Sequence, residues 1–353
     1  MKKIGRKVRK LHRKLHQTSE WWLQKRFTSR ALILMYHGVA ETEGVDPWLL
    51  FVTPKRFAEQ LEIVSKHFHP MSLKQLAQAH QDGNIPERAV AITFDDGYAN
   101  NLYQAKPLLE RFNIPATVFV TTGHLRKKQE FWSDELEQVL LRTVELPEKL
   151  CLNINGSNHQ WELGAAINYS EADYRHDCDR QIDGRPQFSA RLSFLYSVGD
   201  QLQPLAEEEQ QNLLREIRTW ANFQPNLRPT HSFLTLEEVG DLAEGELIEV
   251  GAHTVNHPLL SAHPPQLQQN EIQRGKTELE EILGYPVTSF AYPFGGYTQE
   301  TIPLVQEAGF TCACSTVEET VWHKSDAFQL PRFCVRNFSG TEFEQRLLRW
   351  FHS

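Results

Sequence analysis

The sequence contains no hydrophobic run that approaches the roughly 18 residues needed to cross a membrane. The longest early run, Ala31 to Met35, is too short for the hydrophobic core of a signal peptide and lies too far from the amino terminus. The five cysteines are odd in number and irregularly spaced, so we expect buried reduced thiols rather than disulfides or a cysteine metal site. Together these absences predict a cytoplasmic protein.

Excess positive charge is confined to the amino-terminal arm. The formal net charge is −8, yet residues 1–30 contain eleven Lys/Arg and one acid, so they carry +10 and the other 323 residues carry −18. This arm predicts a basic amphipathic helix, which contacts an anionic membrane surface peripherally or docks on the acidic body or on a partner protein. Nucleic acid is not an expected partner, because the acidic body would repel its phosphates. The apolar stripe of the helix would consist of Ile4, Val8, Leu11, Leu15 and Trp22.

From residue 31 onward, segments typical of strands alternate with segments typical of helices. This alternation predicts an α/β protein with a parallel sheet or barrel, whose chemistry lies at the carboxyl ends of the strands. The alternation stops at 125–230, which we interpret as a partly helical insertion between the two parts of the main domain, 31–124 and 231–353. Strand patterns lie at 31–36, 89–94, 116–120, 247–252, 287–292 and 310–315.

Two adjacent carboxylates, Asp95 and Asp96, follow the apolar strand pattern Ala89 to Phe94, and Gly97 supplies a tight turn after them. In mid-strand the two side chains would point to opposite faces, but at a strand end that breaks into a glycine turn both can converge. One can then bind a cation, while the other is kept ionised by that charge and serves as a base. The alternative is a structural turn or helix cap, which Asp-Asp-Gly alone would favour.

A pair of histidines, His253 and His257, directly follows the strand pattern Leu247 to Ala252. Histidines four residues apart would lie on one face of a helical turn and could bind one cation together. Because both motifs follow predicted strands, a parallel barrel would bring them to the same rim. Asp96, His253 and His257 would then form a two-histidine, one-carboxylate set that leaves positions for water and substrate.

Two further motifs end predicted strands. Tyr292, Pro293 and Phe294 would form a rigid apolar wall with a backbone N–H that could point at an oxyanion, although a plain Pro-Gly turn explains them as well. His37 ends the first strand pattern. A lone histidine is usually structural, but on this rim it could act as a general acid.

The four motifs together resemble the polysaccharide deacetylases of the NodB-homology group, carbohydrate esterase family 4. The resemblance covers residues 31–124 and about 235–340, and its most specific matches are the TFDDG run at 93–97 and the HTxxHP run at 253–258. It implies a distorted, incomplete (β/α) barrel with Asp95 as general base. It also implies that Asp96, His253 and His257 hold one divalent metal ion, usually zinc.

The chain departs from the most familiar members in two places. Their third motif carries an arginine that braces the base, and Ala291 stands at that position here. Their acid histidine lies near the carboxyl terminus, where residues 325–353 contain only His352. In layout the chain is similar to the biofilm exopolysaccharide N-deacetylases, in which an amino-terminal Tyr-His strand supplies the acid, as His37 would here.

Three more residues are candidates for the site. Arg332 is the candidate for the missing brace of the base. Trp132 is a candidate substrate contact, and Asp134, close behind it, is an alternative for a substrate or supporting role.

The implied function is metal-dependent removal of N-acetyl groups from amino sugars of a polysaccharide or oligosaccharide, or of its precursor. One alternative is a deacylase or deformylase of a lipid-linked or small-molecule amide, which the basic arm would favour at a membrane surface. A second is an inactive carbohydrate-binding protein, against which the intact base and ligand set count. Zinc is the expected metal, although this ligand set accepts several divalent ions.

Overall fold

The computed structural model describes residues 30–41, 44–183 and 188–352. The basic helix predicted for residues 1–30 lies outside the described residues, apart from Arg30. The strands are β1 (Ala31–Tyr36), β2 (Gly38–Val39), β3 (Phe51–Val52), β4 (His69–Pro70), β5 (Ala89–Phe94), β6 (Ala116–Val120), β7 (Lys149–Ile154), β8 (Ser157–Glu162), β9 (Ile248–Ala252), β10 (Ser289–Ala291), β11 (Cys312–Cys314) and β12 (Phe333–Cys334). The α-helices are α1 (Pro54–His67), α2 (Leu73–Gln81), α3 (Lys106–Phe112), α4 (Trp132–Arg142), α5 (Glu171–Asp183), α6 (Ala190–Leu202), α7 (Glu207–Ala221), α8 (Leu236–Ala243), α9 (Pro265–Leu283), α10 (Thr301–Glu307) and α11 (Gly340–His352).

The main sheet is parallel and runs in the order β11-β10-β9-β6-β5-β1-β12, with β4 paired to the start of β5. It curls into an open half-barrel, so the predicted distorted, incomplete (β/α) barrel is confirmed. Residues 315–332 connect the two edge strands, and their backbone bonds to both sides of the opening. For example, the Leu330 N–H donates to the Ala313 carbonyl on β11, and the Val321 N–H donates to the Ala31 carbonyl on β1.

The two faces of the sheet differ in side-chain size because strand residues alternate between them. The outer face packs large side chains such as Leu34, Ile92 and Phe94 against the helices. The inner face of β1 and β5 carries smaller residues, among them Ala31 and Ala91. Small inner side chains leave room within the barrel for a long side chain to cross it.

Two helices begin with a capping box. Ser72 Oγ accepts from the Gln75 N–H at 3.1 Å, and Gln75 Oε1 accepts from the Ser72 N–H at 3.0 Å, which forms the capping box of α2. Thr235 and Glu238 form the same reciprocal pair at α8. No helix in the described part of the chain combines the length and apolar composition that a membrane span requires.

Residues 132–221 form a second hydrophobic core, separate from that of the barrel. This core lies within the predicted insertion and contains α4, α6 and α7. The antiparallel β7–β8 hairpin was not predicted. Its first strand alternates buried Leu150, Leu152 and Ile154 with exposed residues, whereas its second strand is polar and largely exposed.

Candidate active site

The carboxyl ends of the strands meet around a cavity of about 250 Å³. His37 follows β1, the Asp95–Asp96 pair follows β5, His253 follows β9 and Phe294 follows β10. All of these residues line the cavity, together with His257. The parallel sheet therefore brings together groups that are far apart in the chain.

The turn after β5 separates the two carboxylates. Asp96 and Gly97 both adopt left-handed backbone conformations, with φ of +77° and +81°. A Cβ atom on Gly97 would lie 3.2 Å from a methyl group of Val120, so a glycine suits this position in both space and conformation. As a result Asp95 points toward Arg332, and Asp96 points toward the histidines.

Asp96, His253 and His257 converge tightly. Their ligand atoms all lie within 4.8 Å of one another, and all three side chains are buried. The Nε2 atoms of His253 and His257 lie 3.5 and 3.3 Å from Asp96 Oδ1 and 3.1 Å from each other. Burial would raise the pKa of Asp96, but hydrogen bonds from the two imidazoles hold it well below its usual value.

The two histidines do not lie on a helical turn, so that prediction was wrong. They lie in a loop after β9, in which Thr254 and His257 take left-handed conformations with φ of +64° and +57°. Glu271 on α9 fixes this loop, because its Oε2 accepts from the N–H groups of Val255 and Asn256 at 2.9 and 2.8 Å. Sequence reasoning missed Glu271.

The surroundings of the histidines suit a divalent metal ion. His253 Nδ1 lies 2.8 Å from the Ala291 carbonyl, which orients Nε2 toward Asp96, as is typical of metal-ligating histidines. The His257 ring packs against Phe131 and Phe294, with ring centroids 4.9 and 4.5 Å away. Burial lowers the pKa of His257, which favours the neutral imidazole that binds metals. The three side chains therefore fit one metal ion with open positions on the cavity side.

Arg332 clamps Asp95. Its Nη1 and Nη2 donate to the two carboxylate oxygens at 2.7 Å each, and both side chains are buried. Arg332 Nε donates to the Ser315 carbonyl, and Nη1 also reaches Thr93 Oγ1 at 3.2 Å. Burial would raise the pKa of Asp95, but the guanidinium charge, helped by His253, holds it below its usual value. The structure thus places Arg332 where the brace of the base was predicted.

Two predicted substrate contacts do not face the cavity. Tyr292 is fully buried in the outer core, and its hydroxyl donates to the Phe328 carbonyl at 2.9 Å. Pro293 is also buried and does not line the cavity. The residue that faces inward is Ala291, because neighbouring residues of a strand point to opposite faces. Trp132 and Phe294 do line the cavity, as does His37, whereas Asp134 lies behind it.

Several cavity residues had no sequence signal. The insertion contributes Asp200 and Gln203 from the end of α6, and the β2–β3 connection contributes Trp48. These positions are not next to any predicted strand end. Only the packing of the second core against the barrel brings them to the cavity.

Comparison with known proteins agrees with this geometry. The family model for polysaccharide deacetylase matches residues 82–151 and 222–313. The Bacillus subtilis protein YxkH, whose name assigns it to the same family, is 24% identical over 163 residues, which are 45% of this chain and 56% of that protein. The poly-β-1,6-N-acetyl-D-glucosamine N-deacetylase of Staphylococcus aureus is 30% identical over 107 residues, which are 27% of this chain and 37% of that protein.

Solved structures share the fold. IcaB from Ammonifex degensii superposes with a TM-score of 0.55 at 17% identity and covers 92% of this chain and 98% of that chain. The Streptococcus pyogenes deacetylase PplD, solved with acetate, gives a TM-score of 0.53 at 17% identity and covers 92% and 99%.

The matched segments contain both the aspartate pair and the histidine pair, and over these segments the chain matches the polysaccharide deacetylase family. The chain spans about half the length of the first of these curated relatives and about a third of the second.

Proposed function

We propose that this protein is a metal-dependent hydrolase that removes N-acetyl groups from amino sugars of a polysaccharide or oligosaccharide, or of its precursor. The observation that carries this proposal is the pairing of Asp95 with Arg332 directly beside the Asp96–His253–His257 group. A structural turn needs neither a buried bidentate partner nor a neighbouring ligand set. Hydrolysis of an unactivated amide needs both a base and an electrophile.

Asp96, His253 and His257 would hold the metal ion, with Zn²⁺ as our proposed metal. Such an ion lowers the pKa of a bound water to about 7 and polarises a carbonyl oxygen. Asp95 lines the same cavity and takes the proton of the attacking water, because Arg332 keeps its carboxylate ionised. The lone pairs that Arg332 does not use remain available to accept that proton.

The remaining steps use His37 and Phe294. The Phe294 backbone N–H, at the end of β10, donates a hydrogen bond to the oxyanion of the tetrahedral intermediate. His37 lies at the cavity wall and donates a proton to the leaving amine nitrogen, so that the C–N bond breaks to give acetate and a free amino sugar.

The cavity favours a small reacting unit. Its volume of about 250 Å³ lies below the range of drug-sized ligand sites, so we infer that it takes about one sugar ring with its acetamido group. Trp48 and Trp132 supply flat apolar walls against which such a ring can lie. The names of the relatives, which act on poly-β-1,6-N-acetyl-D-glucosamine, make acetylated glucosamine the first substrate to test.

The test is acetate release from a panel of acetylated β-1,6-glucosamine oligomers, nucleotide sugars and lipid-linked sugars. We expect release from one of these classes by the wild-type protein and none by Asp95→Asn. Release only from lipid-linked sugars would favour the alternative substrate class. Sugar binding without acetate release from any class would favour the inactive binding protein and contradict the proposal.

A further inference from the structure

A second group of buried ligand-type side chains lies behind the catalytic cavity. Asp134 and Glu137 lie one turn apart on α4, and His231 lies in the short turn before α8. Their ligand atoms all lie within 4.8 Å of one another, and all three residues are buried. The group is distinct from the rim site, because it shares no residue with it.

Arg228 is shared among the buried carboxylates around this group. The side chains of Glu130, Asp134 and Glu137 are buried, and Arg228 forms ion pairs with Glu130 and Glu137. Arg228 bonds mainly to Glu130 and donates to its carboxylate from Nε and Nη2 at 3.1 and 2.7 Å. A single contact of 2.8 Å joins Arg228 Nη1 to Glu137 Oε1. Arg228 reaches Asp134 only at its backbone carbonyl, at 3.2 Å, so the Asp134 carboxylate is left without this partner.

Asp134 has an unused acceptor at full burial. Its Oδ2 accepts from the Tyr98 hydroxyl at 3.1 Å, but its Oδ1 has no hydrogen-bond partner, although the residue is 0% exposed. A proton at Oδ1 would find no acceptor within hydrogen-bond distance there. A cation bound at Oδ1 would satisfy the empty acceptor.

One member of the group borders a second cavity. His231 forms part of the wall of a cavity of about 840 Å³, which Phe233 also lines. A cation could therefore approach the imidazole from that cavity. Two carboxylates and one imidazole suit Mn²⁺ or Zn²⁺.

We propose that Asp134, Glu137 and His231 bind a second divalent metal ion, of the Mn²⁺ or Zn²⁺ type. This ion joins helix α4 of the insertion to the loop that leads into α8. Through Tyr98, which lines the catalytic cavity and donates to Asp134, it also positions one wall of the active site. Its role is structural and positioning, since the group itself does not line that cavity.

The experiment counts metal ions in five proteins loaded separately with Mn²⁺ or Zn²⁺ and freed of excess by gel filtration. We expect two equivalents for the wild type, one for His257→Ala, one for Asp134→Asn and none for the double variant. Glu135→Gln is the matched control, because it removes a carboxylate from the same helix turn that pairs with Arg218 instead, and it should keep two equivalents.

The melting temperature Tm provides a second measurement, which also shows whether each variant is folded. Mn²⁺ should raise the Tm of His257→Ala but not that of the double variant, and His231→Gln provides a second test if Asp134→Asn is unstable. One equivalent in the wild type that disappears in His257→Ala would overturn the proposal. Two equivalents retained by both Asp134→Asn and His231→Gln would overturn it as well.

Discussion

The structure contains two groups of buried histidine and carboxylate side chains, and they differ in what surrounds them. The rim group, Asp96 with His253 and His257, opens on the catalytic cavity. Its neighbour Asp95 has its own buried counter-ion. The deeper group, Asp134 with Glu137 and His231, contains a buried carboxylate oxygen without a hydrogen-bond partner and does not open on that cavity.

The difference separates catalysis from cation binding. A catalytic site needs open positions for substrate and water and a base that stays ionised, and only the rim group has both. The deeper group does not line the catalytic cavity, so it has no contact with a sugar bound there. Residue types alone would not tell these two groups apart.

Removal of a rim ligand should have the largest effect. His257→Ala loses one of three ligands, so we expect the rim metal to be lost and kcat/KM to fall at least about 1,000-fold, or about 4 kcal/mol. Metal analysis and acetate release on the same sample measure this. His323→Ala, on the exposed surface, is the control, and wild-type metal content in His257→Ala would remove this ligand from the set.

Removal of His37, the proposed general acid, should slow amide substrates more than activated esters. His37→Ala should slow amide hydrolysis by about 100- to 10,000-fold. Activated esters should be slowed far less, because their leaving groups need little protonation. Rates on an acetylated glucosamine oligomer and on a nitrophenyl ester give the comparison. Equal losses on both would rule out proton donation by His37.

Replacement of Arg332 should change the pH dependence of the reaction. In Arg332→Met the burial of Asp95 is no longer opposed, so the pKa of Asp95 rises and the acidic limb of kcat/KM moves to higher pH. The unpaired buried carboxylate should also cost about 3–5 kcal/mol of unfolding free energy. Arg332→Lys keeps the charge and should shift the limb less, whereas Arg346→Met removes only a surface pair. An unchanged limb would mean that Arg332 does not set the pKa of the base.

Loss of the deeper group should have the smallest effect on rate. Asp134→Asn acts only through Tyr98, so kcat/KM should fall about ten-fold or less. Without the second ion, the Tm in saturating Mn²⁺ should be about 5–10 °C below that of the wild type. Differential scanning calorimetry with and without Mn²⁺ measures this. A rate loss as large as that of His257→Ala would make the two groups one functional unit.

The sequence predicts the strands and the residues that follow them. It does not predict loop paths or side-chain directions that depend on packing between distant segments. Strands β1, β5 and β6 were predicted at their observed boundaries, because unbroken apolar runs bounded by turns mark buried parallel strands. The position of Asp95, Asp96 and the two histidines on one rim follows from that topology. The path of the histidine loop does not, since it depends on left-handed residues and on Glu271, which is distant in sequence.

Two side chains illustrate the remaining limits. Tyr292 was assigned to the cavity, but β10 is short and its alternation turns this ring outward. Arg332 was predicted from the missing arginine of a motif, although 237 residues separate it from Asp95. The deeper group could not be assembled from the sequence, because only the packing of α4 against the barrel brings His231 to Asp134.

The most direct test of the central claim is acetate release by the wild type and by Asp95→Asn at equal measured metal content. If Asp95 takes the proton of the attacking water, as we propose, the variant should bind as much metal as the wild type and fall at least about 1,000-fold in rate. If metal-loaded Asp95→Asn stays within about ten-fold of the wild type, the base assignment and the mechanism built on it are contradicted.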